Sequence, residues 1–222
     1  GADFPIDTSQ PVDYVGGQGM QRIDVPGEGF WAVYTGATGK PFSKNEYMQF
    51  PQCTNRMLAL RSYSSTIDGK EYKLTEVLKK GPTVLIFSSQ ECPYSRKADP
   101  VLSKLYTSYK DKGVTFLSID SHKDTTPEQI KQYAETAKLT YVVLKDAGNK
   151  YAEAAGAQRT PEVFIVNKDG KLVYHGGPNN QKEPGDAEFK DYVKSALDEI
   201  LAGKAVSAPE ASTWGCTIKR AG

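Results

Sequence analysis

The pattern of apolar and polar positions changes at about residue 62. Residues 1–61 are rich in Gly, Pro, Tyr and polar residues and contain no long periodic segment, which indicates turns and short strands. Beyond them, continuous apolar runs alternate with segments whose apolar positions recur at helical spacing. We therefore predict three parts: an N-terminal extension of uncertain fold (1–61), an α/β domain (62–203) and a C-terminal tail (204–222).

Three apolar runs within 62–203 predict strands buried on both faces, as in a parallel sheet. The first two are TVLIFSS (83–89) and VTFLSID (114–120), and the third is TYVVLKD (140–146). The later segment EVFIVNKDGKLVYHG (162–176) predicts an antiparallel hairpin that turns at Lys168-Asp169-Gly170. Asp68-Gly69 is a second hairpin signal, before the first long strand.

Helical segments separate these strands. One follows Cys92, and a second begins at Thr126, where Pro127 and Gln129 complete a capping box. NKYAEAAGA predicts a short helix that ends at Gly156, and Gly203 ends a last helix. The order predicts an α/β fold with a central mixed β-sheet flanked by helices. The apolar stripe of the last helix is Phe189, Tyr192, Val193, Ala196, Leu197, Ile200 and Leu201.

Charge and composition argue against two classes of partner, nucleic acids and membranes. The chain has 222 residues, a formal net charge of +1 and no long block of Lys and Arg, so we expect no nucleic-acid partner. No apolar run approaches the ~18 residues of a membrane helix, so we expect a soluble protein without a membrane partner. The sequence begins GADFP without methionine, which fits a removed signal peptide or a trimmed chain. An exported location is therefore expected, with a cytoplasmic one open.

Three features at matched spacing resemble the thioredoxin superfamily over residues 62–203. Cys92 follows the first long strand and opens a helix, Pro100 lies eight residues later, and Thr160-Pro161 precedes the strand EVFIV. The motifs ECPYS, TPEVF and the tail WGCTIKR are similar to those of bacterial redoxin-domain proteins, related to peroxiredoxins and to exported thioredoxin-like proteins. This resemblance implies a thioredoxin-like fold and a thiol-based activity.

Cys92 is the predicted reactive thiol. A cysteine attacks as the thiolate, and its pKa falls at a helix N-terminus and near cations. With Cys92 as N-cap and Pro93 as the first helical residue, free N–H groups would face the sulfur, and Arg96 and Lys97 would lie one turn away. The alternative is that Cys92 is a small buried apolar residue.

Several neighbours of Cys92 are predicted from the resemblance. Ser95 stands where thioredoxins have their second cysteine, and its hydroxyl can hydrogen-bond to a Cys92 thiolate. Ser89 lies where peroxiredoxins use Thr or Ser, although Leu85 replaces their usual proline. Arg159 lies in the region from which peroxiredoxins supply an arginine, and the alternative is a surface arginine.

Thr160 and Pro161 occupy the position of the superfamily's cis-proline. A cis Pro161 would expose the Thr160 backbone towards Cys92, where an extended substrate could pair. A trans-proline at the start of a strand is the alternative.

Cys216 is the predicted partner of Cys92. It lies beyond the last helix, in a segment of some fifteen residues that can span ~45 Å when extended. The alternatives are an unpaired thiol or a structural bridge to Cys53, which has no motif around it. His122 and His175 stand without Cys or carboxylate at ligand spacing, so we predict no metal site and no cofactor.

The sequence supports two functional hypotheses. In the first, the protein is a thiol-disulfide oxidoreductase or thiol peroxidase: Cys92 attacks a disulfide or peroxide, and Cys216 resolves the product. Its partners would be an external thiol reductant or a disulfide-bearing protein. In the second, the protein is a redox-idle thioredoxin-like module that docks a partner protein. Neither hypothesis fixes the oligomeric state.

Overall fold

The computed structural model describes residues 72–181 and 184–220, together with the backbone of three short segments before them. Two of these segments pair antiparallel, β1 (Met20–Val25) with β2 (Gly29–Tyr34). The third, β3 (Ser64–Ser65), pairs antiparallel with β4 (Tyr72–Lys73). The predicted turn at Asp68-Gly69 lies outside the described residues, although the strands on either side of it do pair.

A five-stranded mixed sheet forms the centre of the molecule. Its three parallel strands are β5 (Thr83–Ser88), β6 (Thr115–Asp120) and β7 (Val142–Lys145), which confirms the three predicted core strands. The predicted hairpin supplies β9 (Glu162–Val166) and β10 (Leu172–Gly176), and β9 runs antiparallel to β5. The sheet order is β10-β9-β5-β6-β7. Two further short strands, β8 (Arg159–Thr160) and β11 (Cys216–Thr217), pair with each other.

The helices begin and end largely where their capping signals stand. Thr126 accepts the Gln129 N–H and Gln129 accepts the Thr126 N–H, which confirms the capping box. Gly156 ends its helix in the left-handed conformation, at φ 68°. The helices are α1 (Leu74–Leu78), α2 (Pro93–Tyr109), α3 (Pro127–Thr136), α4 (Lys150–Ala155) and α5 (Tyr192–Leu201).

The predicted start of the last helix is wrong. The Asp191 carboxylate accepts the Lys194 N–H at 2.9 Å and caps α5 at that point. Phe189 therefore precedes the helix, and its backbone N–H donates to the Asp186 carbonyl in the turn before it. The side-chain cap satisfies an otherwise unpaired N–H, which is why the helix begins at the aspartate and not at the first apolar residue.

The sheet separates two apolar clusters, because alternate residues of β5 point to opposite faces. Leu85 and Phe87 pack with α1 and α4 on one face. Val84 and Ile86 pack with α2, α3 and α5 on the other. This central mixed sheet, covered by helices on both faces, confirms the predicted thioredoxin-like fold. The parallel strands β5 and β6 end at the edge where α2 begins.

Candidate active site

Cys92 lies in the turn between β5 and α2. Its backbone is extended (φ −93°, ψ 116°) and it is the N-cap residue, with Pro93 at the first helical position. The turn is closed by the Cys92 N–H, which donates to the Ser89 carbonyl at 3.0 Å. The predicted helix start is confirmed. The residue is also 2% exposed, so it combines a helix terminus with the burial that the alternative interpretation required.

The Thr160-Pro161 peptide bond is cis, as predicted. It places the Thr160 carbonyl oxygen 3.0 Å from Cys92 Sγ, where the oxygen accepts the proton of the neutral thiol. Two segments that are 68 residues apart in sequence therefore meet at the sulfur. This contact fixes the position of the thiol against the start of β9.

The C-terminal tail carries Cys216 to the same place. Strand β11 pairs antiparallel with β8, so Cys216 stands opposite Thr160 and Thr217 opposite Arg159. Cys216 Sγ lies 2.8 Å from Cys92 Sγ, and both residues are free thiols. Beyond the strand, the Ile218 N–H donates to the Gln158 carbonyl at 3.0 Å, and its side chain is buried against the core. Burial of an isoleucine side chain stabilises by about 1.5–3 kcal/mol, so the tail is anchored beside the thiol pair.

The two thiols have opposite pKa shifts. Burial raises the pKa of Cys92, but hydrogen bonds from the Cys216 and Thr160 side chains and the Ser95 backbone outweigh burial, and the net pKa is below its ordinary value. Burial and the neighbouring Cys92 raise the pKa of Cys216 to about 11, against a smaller opposing effect of the Lys219 charge. Cys92 is therefore the thiol that ionises first, with the Cys216 S–H as its hydrogen-bond donor.

The predicted helpers of Cys92 act through the backbone more than through their side chains. Ser95 contributes its backbone N–H to the sulfur, while its hydroxyl accepts the Ser89 N–H at 3.4 Å. The Ser89 hydroxyl accepts the Glu91 N–H at 3.2 Å and so shapes the turn before Cys92. Arg96 acts on Tyr133, whose pKa its charge lowers against stronger raising effects of burial and Asp99. The cations expected to lower the Cys92 pKa are thus replaced by hydrogen bonds.

Arg159 and Gly215 hold the tail strand against β8. The Arg159 guanidinium donates to the Gly215 carbonyl at 3.2 Å, next to Cys216. Gly215 has φ +103°, and a Cβ there would lie 2.1 Å from the Thr160 carbonyl oxygen. The tail therefore occupies the Thr160 edge, which was expected to be open to a substrate. That expectation is wrong, because the chain's own β11 pairs there.

Two residues of the site were not singled out from the sequence as a pair. The buried carboxylate of Glu162, directly after cis-Pro161, accepts from His175 Nε2 at 2.7 Å. His175 stacks on Phe164, with ring centroids 4.4 Å apart. The available signal was a glutamate that opens an otherwise apolar core strand. Cys53, the other cysteine considered as a partner of Cys216, lies outside the described residues.

A small cleft opens beside the two thiols, and no metal cluster accompanies it. Ser89, Glu91, His122, Ile218 and Lys219 line the cleft together with the site residues already described. Within residues 72–181 and 184–220, no group of three or more His, Cys, Asp or Glu side chains is arranged to hold a metal ion. The site is thus built from two sulfurs, a peptide edge and hydrogen-bond donors.

These features define the class: a thioredoxin-like protein with a thiol at a helix start, opposite a cis-proline. The chain belongs to the Redoxin family, whose model matches residues 46–194. It is 27% identical over 153 residues to a protein of Bacillus cereus named thiol-disulfide oxidoreductase ResA, covering 69% of this chain and 82% of that protein.

Two solved structures of uncharacterised proteins are also similar. A Sinorhizobium meliloti protein is 26% identical, with a TM-score of 0.65. The match covers 72% of this chain and 91% of the Sinorhizobium chain. A Geobacillus kaustophilus protein is 29% identical, with a TM-score of 0.65. The match covers 72% of this chain and 88% of the Geobacillus chain. In the part of the chain described here, no helix is long and apolar enough to cross a membrane.

Proposed function

We propose that the protein is a thiol-disulfide oxidoreductase in which Cys92 is the attacking thiol and Cys216 the resolving thiol. The observation that carries this proposal is the 2.8 Å separation of the two sulfurs. A disulfide needs an S–S distance of about 2.05 Å, so a small movement of the tail suffices for the bond to form. Relatives named thiol-disulfide oxidoreductase and thiol:disulfide interchange protein support the same chemistry.

In the first step, the Cys92 thiolate attacks one sulfur of a substrate disulfide. A Cys92–substrate disulfide forms, the original S–S bond breaks, and the other substrate sulfur leaves as a thiolate that takes up a proton. The lowered pKa of Cys92 keeps a larger fraction of this thiol in the reactive form. The Ser95 backbone N–H and the Cys216 thiol stabilise that negative charge before the attack.

In the second step, Cys216 loses its proton and attacks Cys92 Sγ. The Cys92–Cys216 disulfide forms, and the substrate's second sulfur leaves as a thiolate, so the substrate has gained two electrons. The Cys92 thiolate, one of the groups that raise the pKa of Cys216, no longer exists in the mixed disulfide. Burial still raises the pKa of Cys216 at this step, but the contribution of the Cys92 thiolate is gone, and the Lys219 charge opposes the effect of burial. An external thiol reductant regenerates the dithiol.

Peroxide as a substrate uses the same two residues. The Cys92 thiolate would attack the peroxide oxygen, forming a sulfenic acid and releasing an alcohol or water, and Cys216 would condense with it and release water. We favour the disulfide because the relatives are named for thiol-disulfide chemistry. Since Cys92 is 2% exposed and β11 covers the Thr160 edge, the tail strand has to move aside before a substrate disulfide reaches the sulfur. A redox-idle docking module is the remaining alternative, and it requires that the two thiols never join.

The test is peptide mapping under non-reducing conditions after treatment with a protein disulfide, with hydrogen peroxide or with neither. We expect a Cys92–Cys216 disulfide in the wild type, formed faster with the protein disulfide. Cys216→Ser should accumulate a Cys92–substrate mixed disulfide, and with peroxide it should over-oxidise Cys92. Two free thiols after both treatments would contradict the redox function and favour the docking module. A constant Cys53–Cys216 bridge would make the tail structural.

A further inference from the structure

The Glu162 carboxylate is a buried charged group that the proposed exchange does not use. The residue is 2% exposed and directly follows cis-Pro161 in the sequence. Oε2 accepts the backbone N–H groups of Gln158 and Arg159, each at 2.7 Å. Oε1 faces His175 Nε2 at 2.7 Å. Three donors therefore converge on one carboxylate, an arrangement that fixes the groups around it.

The amides that Glu162 holds belong to the segment on which the tail strand pairs. The Gln158 carbonyl accepts the Ile218 N–H, and Arg159 stands opposite Thr217. The N–H groups of Gln158 and Arg159 donate to the carboxylate and hold residues 158–160 in place. The Gln158 carbonyl remains available to the tail. The position of Cys216 relative to Cys92 is thereby set through the backbone of residues 158–160.

His175 carries the same constraint to an earlier part of the tail. Its backbone N–H donates to the Pro209 carbonyl at 2.9 Å, and its carbonyl accepts the Ala211 N–H at 3.1 Å. Its ring is held between Glu162 and the face of Phe164. Glu162 is thus linked to the tail at two places, one before Cys216 and one beside it. Fixing a flexible segment at two points raises the effective concentration of a group between them.

We propose that Glu162 is a positioning residue that holds Cys216 against Cys92, with His175 as its partner. This inference rests on the proposed function, because it concerns the efficiency with which the two thiols join. Burial raises the pKa of Glu162, but the hydrogen bonds from His175, Gln158 and Arg159 outweigh burial and keep it below its ordinary value. The group is therefore a carboxylate at neutral pH and forms charge-assisted bonds.

The experiment measures the equilibrium between the dithiol and the Cys92–Cys216 disulfide in glutathione buffers. Two protein thiols lose two protons and two electrons, and oxidised glutathione takes them to give two molecules of reduced glutathione. Glu162→Gln replaces the charge-assisted bonds by weaker neutral ones, and we expect the equilibrium constant for disulfide formation to fall roughly tenfold.

Asp146→Asn is the matched control. The Asp146 carboxylate is also buried and accepts two backbone N–H groups, from Tyr151 and Ala152, both at 2.9 Å. It accepts a side-chain donor as well, the Ser121 hydroxyl at 2.8 Å, but its two backbone N–H donors belong to the first turn of α4 and not to the segment that pairs with the tail. We expect this variant to lose thermal stability while its disulfide equilibrium stays at the wild-type value.

The outcomes separate the two proposals. A wild type that forms no Cys92–Cys216 disulfide overturns the proposed function itself. A wild type that forms it, with Glu162→Gln unchanged or shifted no more than Asp146→Asn, overturns the positioning role alone. If Glu162→Gln does not fold, the positioning role is tested with His175→Phe. That variant keeps an aromatic ring against Phe164 but removes the donor to Oε1, and we expect about a threefold fall. No fall would reject the positioning role.

Discussion

The two thiols of the site are held in place by different kinds of structure. Cys92 lies between a core strand and a long helix, so its position is fixed by continuous backbone and by packing on both sides of the sheet. Cys216 lies in a two-residue strand whose place depends on separate contacts with Arg159, Thr160 and Gln158. Changes at the tail should therefore alter how the thiols join, whereas changes around Cys92 should alter the stability of the whole domain.

The same difference is the physical basis of the two proposed chemical roles. The helix start and the convergent donors favour a thiolate at Cys92, while burial beside that thiolate raises the pKa of Cys216 to about 11. A resolving thiol that is protonated at rest does not compete with the attacking thiol for the substrate. In the proposed mechanism, the rigid region carries the attacking thiol and the tail carries the resolving thiol.

The largest effect is expected for Gly215→Ala. Its Cβ would lie 2.1 Å from the Thr160 carbonyl oxygen at φ +103°, so the tail strand must leave β8. We expect the rate of Cys92–Cys216 disulfide formation with oxidised glutathione to fall on the order of 100-fold. Stopped-flow mixing followed by mass mapping gives this rate.

Gly185→Ala is the matched control for backbone strain. Gly185 has φ +110°, and a Cβ there would meet nothing within 4 Å. The two variants therefore share a strained alanine and differ in the overlap with Thr160. Equal rates in both would mean that pairing of the tail strand with β8 does not govern the joining of the thiols.

A smaller effect is expected on the pH dependence of Cys92 alkylation. Because the pKa of folded Cys92 is below its ordinary value, the midpoint of reaction with iodoacetamide should lie at a lower pH in the folded than in the urea-unfolded chain. Cys216→Ala removes the S–H donor and should move the folded midpoint upwards. Cys216→Ser keeps a donor and should shift it less.

The midpoint is the informative quantity in this experiment, because removing the Cys216 side chain also opens access to Cys92 and changes absolute rates. Identical midpoints for Cys216→Ala, Cys216→Ser and wild type would show that the second thiol does not stabilise the first as a thiolate. A midpoint in the wild type at or above that of the unfolded chain would contradict the lowered pKa.

The smallest expected effect belongs to Arg159→Gln. Its guanidinium contacts the Gly215 carbonyl at an exposed position, where such interactions contribute little, and we expect a two- to threefold slower disulfide formation. Arg96→Gln is the control. It also removes one positive charge, but the Arg96 charge lowers the pKa of Tyr133 and Arg96 is not part of the contact with the tail at Gly215. An equal effect of both variants on the rate would indicate a general influence of positive charge.

The sequence was sufficient to predict the central mixed sheet with its flanking helices and the helix start at Cys92. Apolar runs and capping residues specify local structure, so the core strands, the α3 capping box and the helix start at Cys92 were all predictable. The cis state of Pro161 was also predicted, but only through the resemblance to the thioredoxin superfamily. Phe189 shows the limit of periodicity, since an aspartate cap decides where α5 begins.

The groups that surround the two thiols depend on contacts between distant segments of the chain. Sequence spacing placed Arg96 and Lys97 one turn from Cys92, but the donors that act on its sulfur come from the Ser95 backbone, Thr160 and Cys216. A backbone N–H has no side-chain signature, and Cys216 is 124 residues away. The sequence predicted Cys216 as the partner because the C-terminal tail is long enough to reach Cys92. Only the pairing of β11 with β8 brings it to Cys92, because long-range hydrogen bonds depend on how distant segments pack.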